Sequence, residues 1–173
     1  AWIERLRLAS SLHDIGKVGI PDQILLKPGA FTPVERRHME QHTLIGADTL
    51  VAIRRHVGRD ELIDMGIEVA QQHHERWDGA GYPMGLAGEE ISLAARIVAL
   101  ADVYDALTSR RVYKKAKSHA EARTIILDSR GTHLDPRMVD VFEQIHERFD
   151  ETRREVQPET SEPEYPLLLQ AVE

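Results

Sequence analysis

The sequence predicts an all-α bundle of about six to seven helices, and three observations predict it. Apolar residues recur at helical spacing in nearly every long segment. Two capping boxes and several Ser, Asp or Pro starts mark helix N-termini. No run reads as a strand of more than a few residues. With 173 residues the chain can bury one substantial core without a covalent staple. The expected division is a helical domain over residues 1–150 and an acidic, proline-containing tail or linker over residues 151–173.

Taken in order, the first helix is expected over residues 2–15, with Ile3, Leu6, Leu8, Ala9, Leu12 and Ile15 on its apolar side and His13 and Asp14 on its last turn. Gly16 and Gly19 end it, and a loop leads to the turn pair Pro28-Gly29. Thr32-Pro33-Val34-Glu35 is a capping box with proline at the first helical position. The helix it starts should carry His38 and His42 four apart on one face and continue or restart past Gly46 towards Gly58. A further helix over residues 61–75 ends in Gln72-His73-His74-Glu75. Glycines and a proline are then too dense over residues 77–85 for any regular element, so a loop of specific shape is expected.

Ser92 can cap a strongly apolar helix over residues 93–107, in which Asp102 and Asp105 call for an explanation. Ser118-His119-Ala120-Glu121 is the second capping box, opening a helix that should end at Gly131. Asp135-Pro136 starts the last helix, apolar at Met138, Val139, Val141, Phe142, Ile145 and Phe149. In the tail, Leu167-Leu168-Leu169 reads as a docking element or a simple chain end.

Composition narrows the chemistry. There is no cysteine, so disulfides and thiolate metal sites are excluded, and any metal must be held by His, Asp and Glu. No apolar run approaches the length of a membrane span and the start lacks a secretory signal, so the segment is expected to be cytoplasmic, with no membrane partner. A net charge of −7 argues against a nucleic-acid polymer as partner. Residues 151–173 carry a net −4 of this, leaving −3 for the rest. Arg110, Arg111, Lys114, Lys115 and Lys117 concentrate positive charge, which suits a small anion or a solvated helix end.

His13, Asp14, His42, His73, His74, Asp102 and Asp105 all fall at helix ends or inside apolar helices. No single pair among them is specific, since a buried His–Asp hydrogen bond also serves structure. Together they suggest a metal centre, because imidazoles and carboxylates are costly to bury in an apolar bundle unless paired or bound to metal. Adjacent His73 and His74 diverge by about 100° on a regular helix, so they either share one ion at a distorted helix end or serve neighbouring directions in a larger cluster. His38, His56, His119, His133 and His146 read as exposed or structural, and Glu75 and Arg76 as either orienting groups or an ion pair.

Four segments then carry a resemblance. They are His13-Asp14-Ile15-Gly16-Lys17, Met39-Glu40-Gln41-His42, the stretch from His73-His74 to Gly81-Tyr82-Pro83, and the stretch from Asp102 through Asp105 to Lys114. In order and spacing, over residues 6–149, they resemble the HD-GYP family, a branch of the HD-domain metallophosphohydrolases. The resemblance implies an HD-domain bundle and a bacterial signalling phosphodiesterase that hydrolyses cyclic di-GMP to the linear dinucleotide, GMP or both. It implies two or three divalent ions, commonly iron or manganese. On that resemblance His13, Asp14, His42, His73, His74 and Asp102 are metal ligands, with Asp14 bridging two ions.

Lys17 is then expected at the scissile phosphate, Arg111 and Lys114 at the nucleotide, and Tyr82 beside the substrate, while Asp105 supports the catalytic set of Asp14 and Lys17 from behind the ligands. A GGDEF-type cyclase docking on residues 79–85, an upstream receiver or sensor domain of a two-component system, and an oligomer are the partners the family suggests. The family also places a histidine ligand on a helix before the His-Asp doublet, and residues 1–11 contain none. The expectation is that this family helix precedes the segment. Two rivals stay open: a catalytically impaired cyclic-dinucleotide-binding or protein-interaction module, and a phosphodiesterase for another cyclic dinucleotide.

Overall fold

The computed structural model describes residues 1–109 and 116–156, and these form helices and connecting turns with no strand. The helices are α1 (Trp2–Ser10), α2 (Asp22–Leu25), α3 (Pro33–Glu40), α4 (His42–Val57), α5 (Glu61–Gln72), α6 (Leu93–Thr108), α7 (His119–Asp128) and α8 (Pro136–Val156), with 3-10 turns at Ile15–Gly19 and Gly88–Glu90. No described helix is long and apolar enough to cross a membrane. Arg111, Lys114 and the Leu167-Leu168-Leu169 cluster lie outside the described residues.

Helix α6 holds the bundle together because it is buried on two sides. Its Ala94 and Val98 join Ala9 of α1 and Met65 and Val69 of α5 in one core. Its Ala99, Leu100 and Tyr104 join Ala122 and Ile126 of α7, Leu134, and Val139 and Phe142 of α8 in another. A helix with a core on either side must be apolar nearly all round, which is why its pattern shows so little polar face. The expected caps form: Thr32 and Ser118 each make a reciprocal box with a glutamate, and Ser92 accepts from Ala95 N–H. Asp135 accepts from Arg137 N–H at 2.8 Å at the start of α8, while pairing with Arg96 of α6 at 2.7 Å.

Besides α5, which ends at Gln72 rather than near residue 75, four helix boundaries differ from expectation, and each difference has a local cause. Helix α1 stops at Ser10 rather than near residue 15. From Ser11 the backbone tightens into i→i−3 bonds, as in Leu12 N–H to Ala9 O and Lys17 N–H to Asp14 O, both at 3.0 Å. With three residues per turn, residues i and i+3 eclipse, so Asp14 and Lys17 come to one side. The expected continuous helix through His42 is interrupted at Gln41, whose N–H bonds to His38 O. That break separates two histidines expected on one face: His38 is exposed, whereas His42 is 1% exposed. Helix α7 ends at Asp128, and the left-handed Gly131 belongs to a tight turn after it. Helix α8 continues to Val156, past the expected boundary at residue 150. There Asp150 is paired with Arg153 and Arg154.

The 3-10 turn is pressed onto the start of α4. A Cβ at Gly16 would overlap the carbonyl oxygen of His42 and the amide of Gly46, so only glycine permits the approach. Gly16→Ala is therefore expected to destabilise the fold by about 2–3 kcal/mol, since the clash is with backbone rather than a movable side chain. Urea unfolding measures this, and an unchanged midpoint would contradict the packing.

Candidate metal centre

Four elements converge on one point. The doublet His13-Asp14 arrives from the turn after α1, His42 from the first residue of α4, His73 and His74 from the end of α5, and Asp102 from α6. His73 is the residue at which α5 stops and His74 is already in the turn beyond it. This helix end brings the two rings to 4.1 Å between centroids, tilted by 41°. One ligand atom from each of His42, His73 and His74 falls within a 4.8 Å cluster.

Asp14 sits in the middle and faces two ways. Its Oδ1 lies 3.4 Å from His42 Nε2 and 3.8 Å from His73 Nε2. Its Oδ2 lies 3.2 Å from His13 Nε2 and 2.5 Å from Lys17 Nζ. Asp102 Oδ1 is 4.0 Å from His13 Nε2, so all six expected ligands are gathered. Lys17 is among them, with its side chain 40% exposed at the mouth.

The tautomers are set from outside the cluster. His42 Nδ1 donates to Met39 O at 2.7 Å, and His73 Nδ1 donates to Val69 O at 3.0 Å. A neutral imidazole whose Nδ1 carries the proton presents a lone pair at Nε2. These two Nε2 atoms lie 3.4 Å apart, and beside them Asp14 Oδ1 is buried without a hydrogen-bond partner. Three acceptors thus face one another with no proton between them. Such a group is repulsive by itself and favourable around a cation, and its imidazole and carboxylate donors fit a divalent metal.

Protonation states agree. Burial lowers the pKa of His42, takes His73 down to about 4, and lowers His74 further with help from His73. Burial raises Asp14, but hydrogen bonds from His13 and Lys17 more than offset it and hold the carboxyl well below the usual carboxylate range. His13 goes the other way, raised by its hydrogen bond to Asp14.

The loop that follows is built to lie against this centre. Gly81 crosses so close to residues 74–76 that a Cβ there would overlap His74 O and Arg76 N. Tyr82 N–H then donates to His74 O at 3.2 Å, and its ring lies 4.9 Å from the His74 ring. Burial and the Glu40 carboxylate raise the Tyr82 phenol, so it stays protonated.

Glu75 resolves the choice left open by sequence. It is 2% exposed and accepts from Met84 N–H at 2.7 Å and Leu86 N–H at 3.0 Å, pinning the loop from below. An acid directly after two histidines and before a glycine-dense loop was the available signal. Arg76 pairs with Asp78 on the same loop. Asp105, one turn beyond Asp102, is exposed, accepts from Ser109 Oγ at 2.8 Å and lines a groove between α6 and α8. The nucleotide contacts expected of Arg111 and Lys114 lie outside the described residues.

The pKa shifts give a pH test on metal-free protein. His42, His73 and His74 are lowered in the fold, so the unfolded chain takes up their protons first. Their contribution to stability is complete above the ordinary value of 6.5 and declines as pH falls towards about 4. His13 has the opposite sign but is one group against three. Chelator-treated protein should therefore melt at a lower temperature near pH 5 than near pH 7.5, and equal melting temperatures would contradict the neutral cluster.

Comparison with known proteins places the chain. A model of the HD domain matches residues 1–138. A cyclic di-GMP phosphodiesterase of Vibrio cholerae is 50% identical over 149 residues, covering 86% of this chain and 30% of that protein. A cyclic di-GMP phosphodiesterase of Thermotoga maritima is 44% identical over 161 residues, covering 92% and 42%. A 3'3'-cGAMP-specific phosphodiesterase of Vibrio cholerae is 38% identical over 146 residues, covering 84% and 27%. The chain thus spans less than half the length of these relatives. The domain match covers both the His-Asp doublet and the Gly-Tyr-Pro loop, and the chain belongs to the HD-domain family, in its HD-GYP branch.

Proposed function

We propose that this domain is a metal-dependent phosphodiesterase that hydrolyses cyclic di-GMP to the linear dinucleotide, GMP or both. The observation that carries the reading is the buried Asp14 Oδ1 facing two imidazole lone pairs, an arrangement suited to a cation. His13, Asp14, His42, His73, His74 and Asp102 would hold two ions, with Asp14 between them because its two oxygens face two different ligand groups. A mixed imidazole and carboxylate set without sulfur suits iron or manganese. The bound ions would supply the Lewis acidity that activates water for attack on phosphorus and that neutralises charge on the phosphodiester.

The chain's own residues do the rest. Lys17 is half-exposed at the mouth and carries its cation on Asp14, from which it can turn to a phosphate oxygen as negative charge develops. Tyr82, protonated and lying over His74, offers a ring face and a hydroxyl to the nucleotide. Glu75 keeps that ring in place by fixing the loop backbone. Asp105 would act behind Asp102 on the same helix, and the exposed Met84 of the loop would be the surface met by a cyclase-type partner. Overall, water adds to phosphorus, the ester bond to the 3′ oxygen breaks, and that oxygen leaves with a proton.

The similarity to a 3'3'-cGAMP-specific enzyme favours one second reading, in which the substrate is a mixed cyclic dinucleotide. Relative rates on cyclic di-GMP and 3'3'-cGAMP decide between them. Manganese- or iron-loaded protein is expected to hydrolyse cyclic di-GMP. His73→Ala should lose both bound metal and turnover. Lys17→Ala should keep its metal but turn over about a hundredfold more slowly. Binding of cyclic di-GMP without cleavage by the loaded wild type would replace catalysis with a sensing role, and full metal content in His73→Ala would remove the ligand assignment.

A further inference from the structure

Resting on the phosphodiesterase reading, we propose that His133 is a further substrate-contacting residue, whose ring N–H donates a hydrogen bond to a phosphate oxygen of the cyclic dinucleotide. Nothing in its sequence context separates His133 from an ordinary structural histidine. Its place in the fold does.

His133 sits in the tight turn between α7 and α8. The turn is closed by Leu134 N–H to Ser129 O at 3.0 Å and Gly131 N–H to Leu134 O at 2.9 Å. On one side it is anchored by Leu134, 2% exposed in the core against α6, and by the buried carboxylate of Asp135 on Arg96. On the other it is bonded to the start of the Gly-Tyr-Pro loop: Trp77 N–H donates to His133 O at 3.1 Å and Asp78 N–H to Thr132 O at 2.9 Å. The His133 backbone is thus part of the frame that holds the metal-centre loop.

The ring itself is used by none of these bonds. It is half-buried and makes no hydrogen bond among the described residues. The charges that act on it are Arg76, Asp78 and Asp102. The first two are already locked together by two hydrogen bonds, at 3.0 and 2.6 Å. Asp102 belongs to the metal centre. The ring is thus close enough to these three groups to feel their charges, and its own backbone is bonded to the loop that carries Arg76 and Asp78. Burial, reinforced by Arg76, lowers its pKa and keeps it neutral, with one N–H to give. A polar ring half removed from water without a partner is costly unless a ligand completes it. Held on a turn fixed at both ends, it can do so with little loss of freedom.

The test compares His133→Leu and His133→Gln with wild type, all manganese-loaded, reading metal content, melting temperature and the kinetics of cyclic di-GMP hydrolysis. The Leu variant is expected to raise KM about tenfold or more, with metal content unchanged and melting within about 2 °C of wild type. The Gln variant, which keeps an N–H donor, should recover most of the loss. Wild-type kinetics in the Leu variant would overturn the assignment. So would a matched loss of metal and stability in both variants, which would mark His133 as structural. If the wild type neither binds nor cleaves any cyclic dinucleotide, the phosphodiesterase reading itself fails and His133 falls with it. An active wild type with an unaffected Leu variant removes His133 alone.

Discussion

Asp14 Oδ1, His42 Nε2 and His73 Nε2 face one another at 3.4–3.8 Å with no hydrogen between them. One buried acceptor without a partner costs about 1–3 kcal/mol, and three pointing at a common centre cost more because they repel. A cation at the centre would relieve that cost, and much of the chain is arranged to keep the group in place. The carbonyls of Met39 and Val69 hold the Nδ1 protons outward. Helix α5 ends one residue before the two adjacent histidines, so both rings turn inward.

Two backbone approaches and one buried acid set the remaining geometry. Gly16 lets the turn carrying Asp14 and Lys17 lie on the first turn of α4, within reach of His42. Gly81 lets the loop fold back onto residues 74–76, which places Tyr82 over His74. Glu75 holds the far side of the loop through two amides, and the turn around His133 holds its near side. Helix α6 joins both cores while carrying Asp102, so the last of the proposed ligands is positioned by the same packing that stabilises the bundle.

Where local chemistry decides, the structure was legible in the sequence. Thr32, Ser92, Ser118 and Asp135 announce helix starts because their side chains bond the first free amides. The six residues expected as ligands come from the motif order, and the structure brings their side chains near one another, His42, His73 and His74 most tightly. Less legible was whatever depends on contact between distant segments. The tightening after Ser10 and the break at Gln41 leave the apolar spacing almost intact, yet they decide that His42 points inward and His38 outward. The reach of α8 to Val156 runs through a polar stretch stabilised by Asp150 with Arg153 and Arg154, which resembles a tail by composition. Glu75 and His133 gain meaning only from partners elsewhere in the fold.

The most direct measurement is the change in melting temperature when manganese is added to the metal-free chain and to its Asp14→Asn variant. A cation that binds only the folded state stabilises by about 2.7 kcal/mol at a hundredfold excess over its dissociation constant. The wild type should therefore melt several degrees higher with manganese, and Asp14→Asn should show little or no rise, since its neutral amide no longer supplies the central negative charge. A wild type indifferent to manganese, or an Asn variant stabilised as much as the wild type, would contradict a metal centre organised around Asp14.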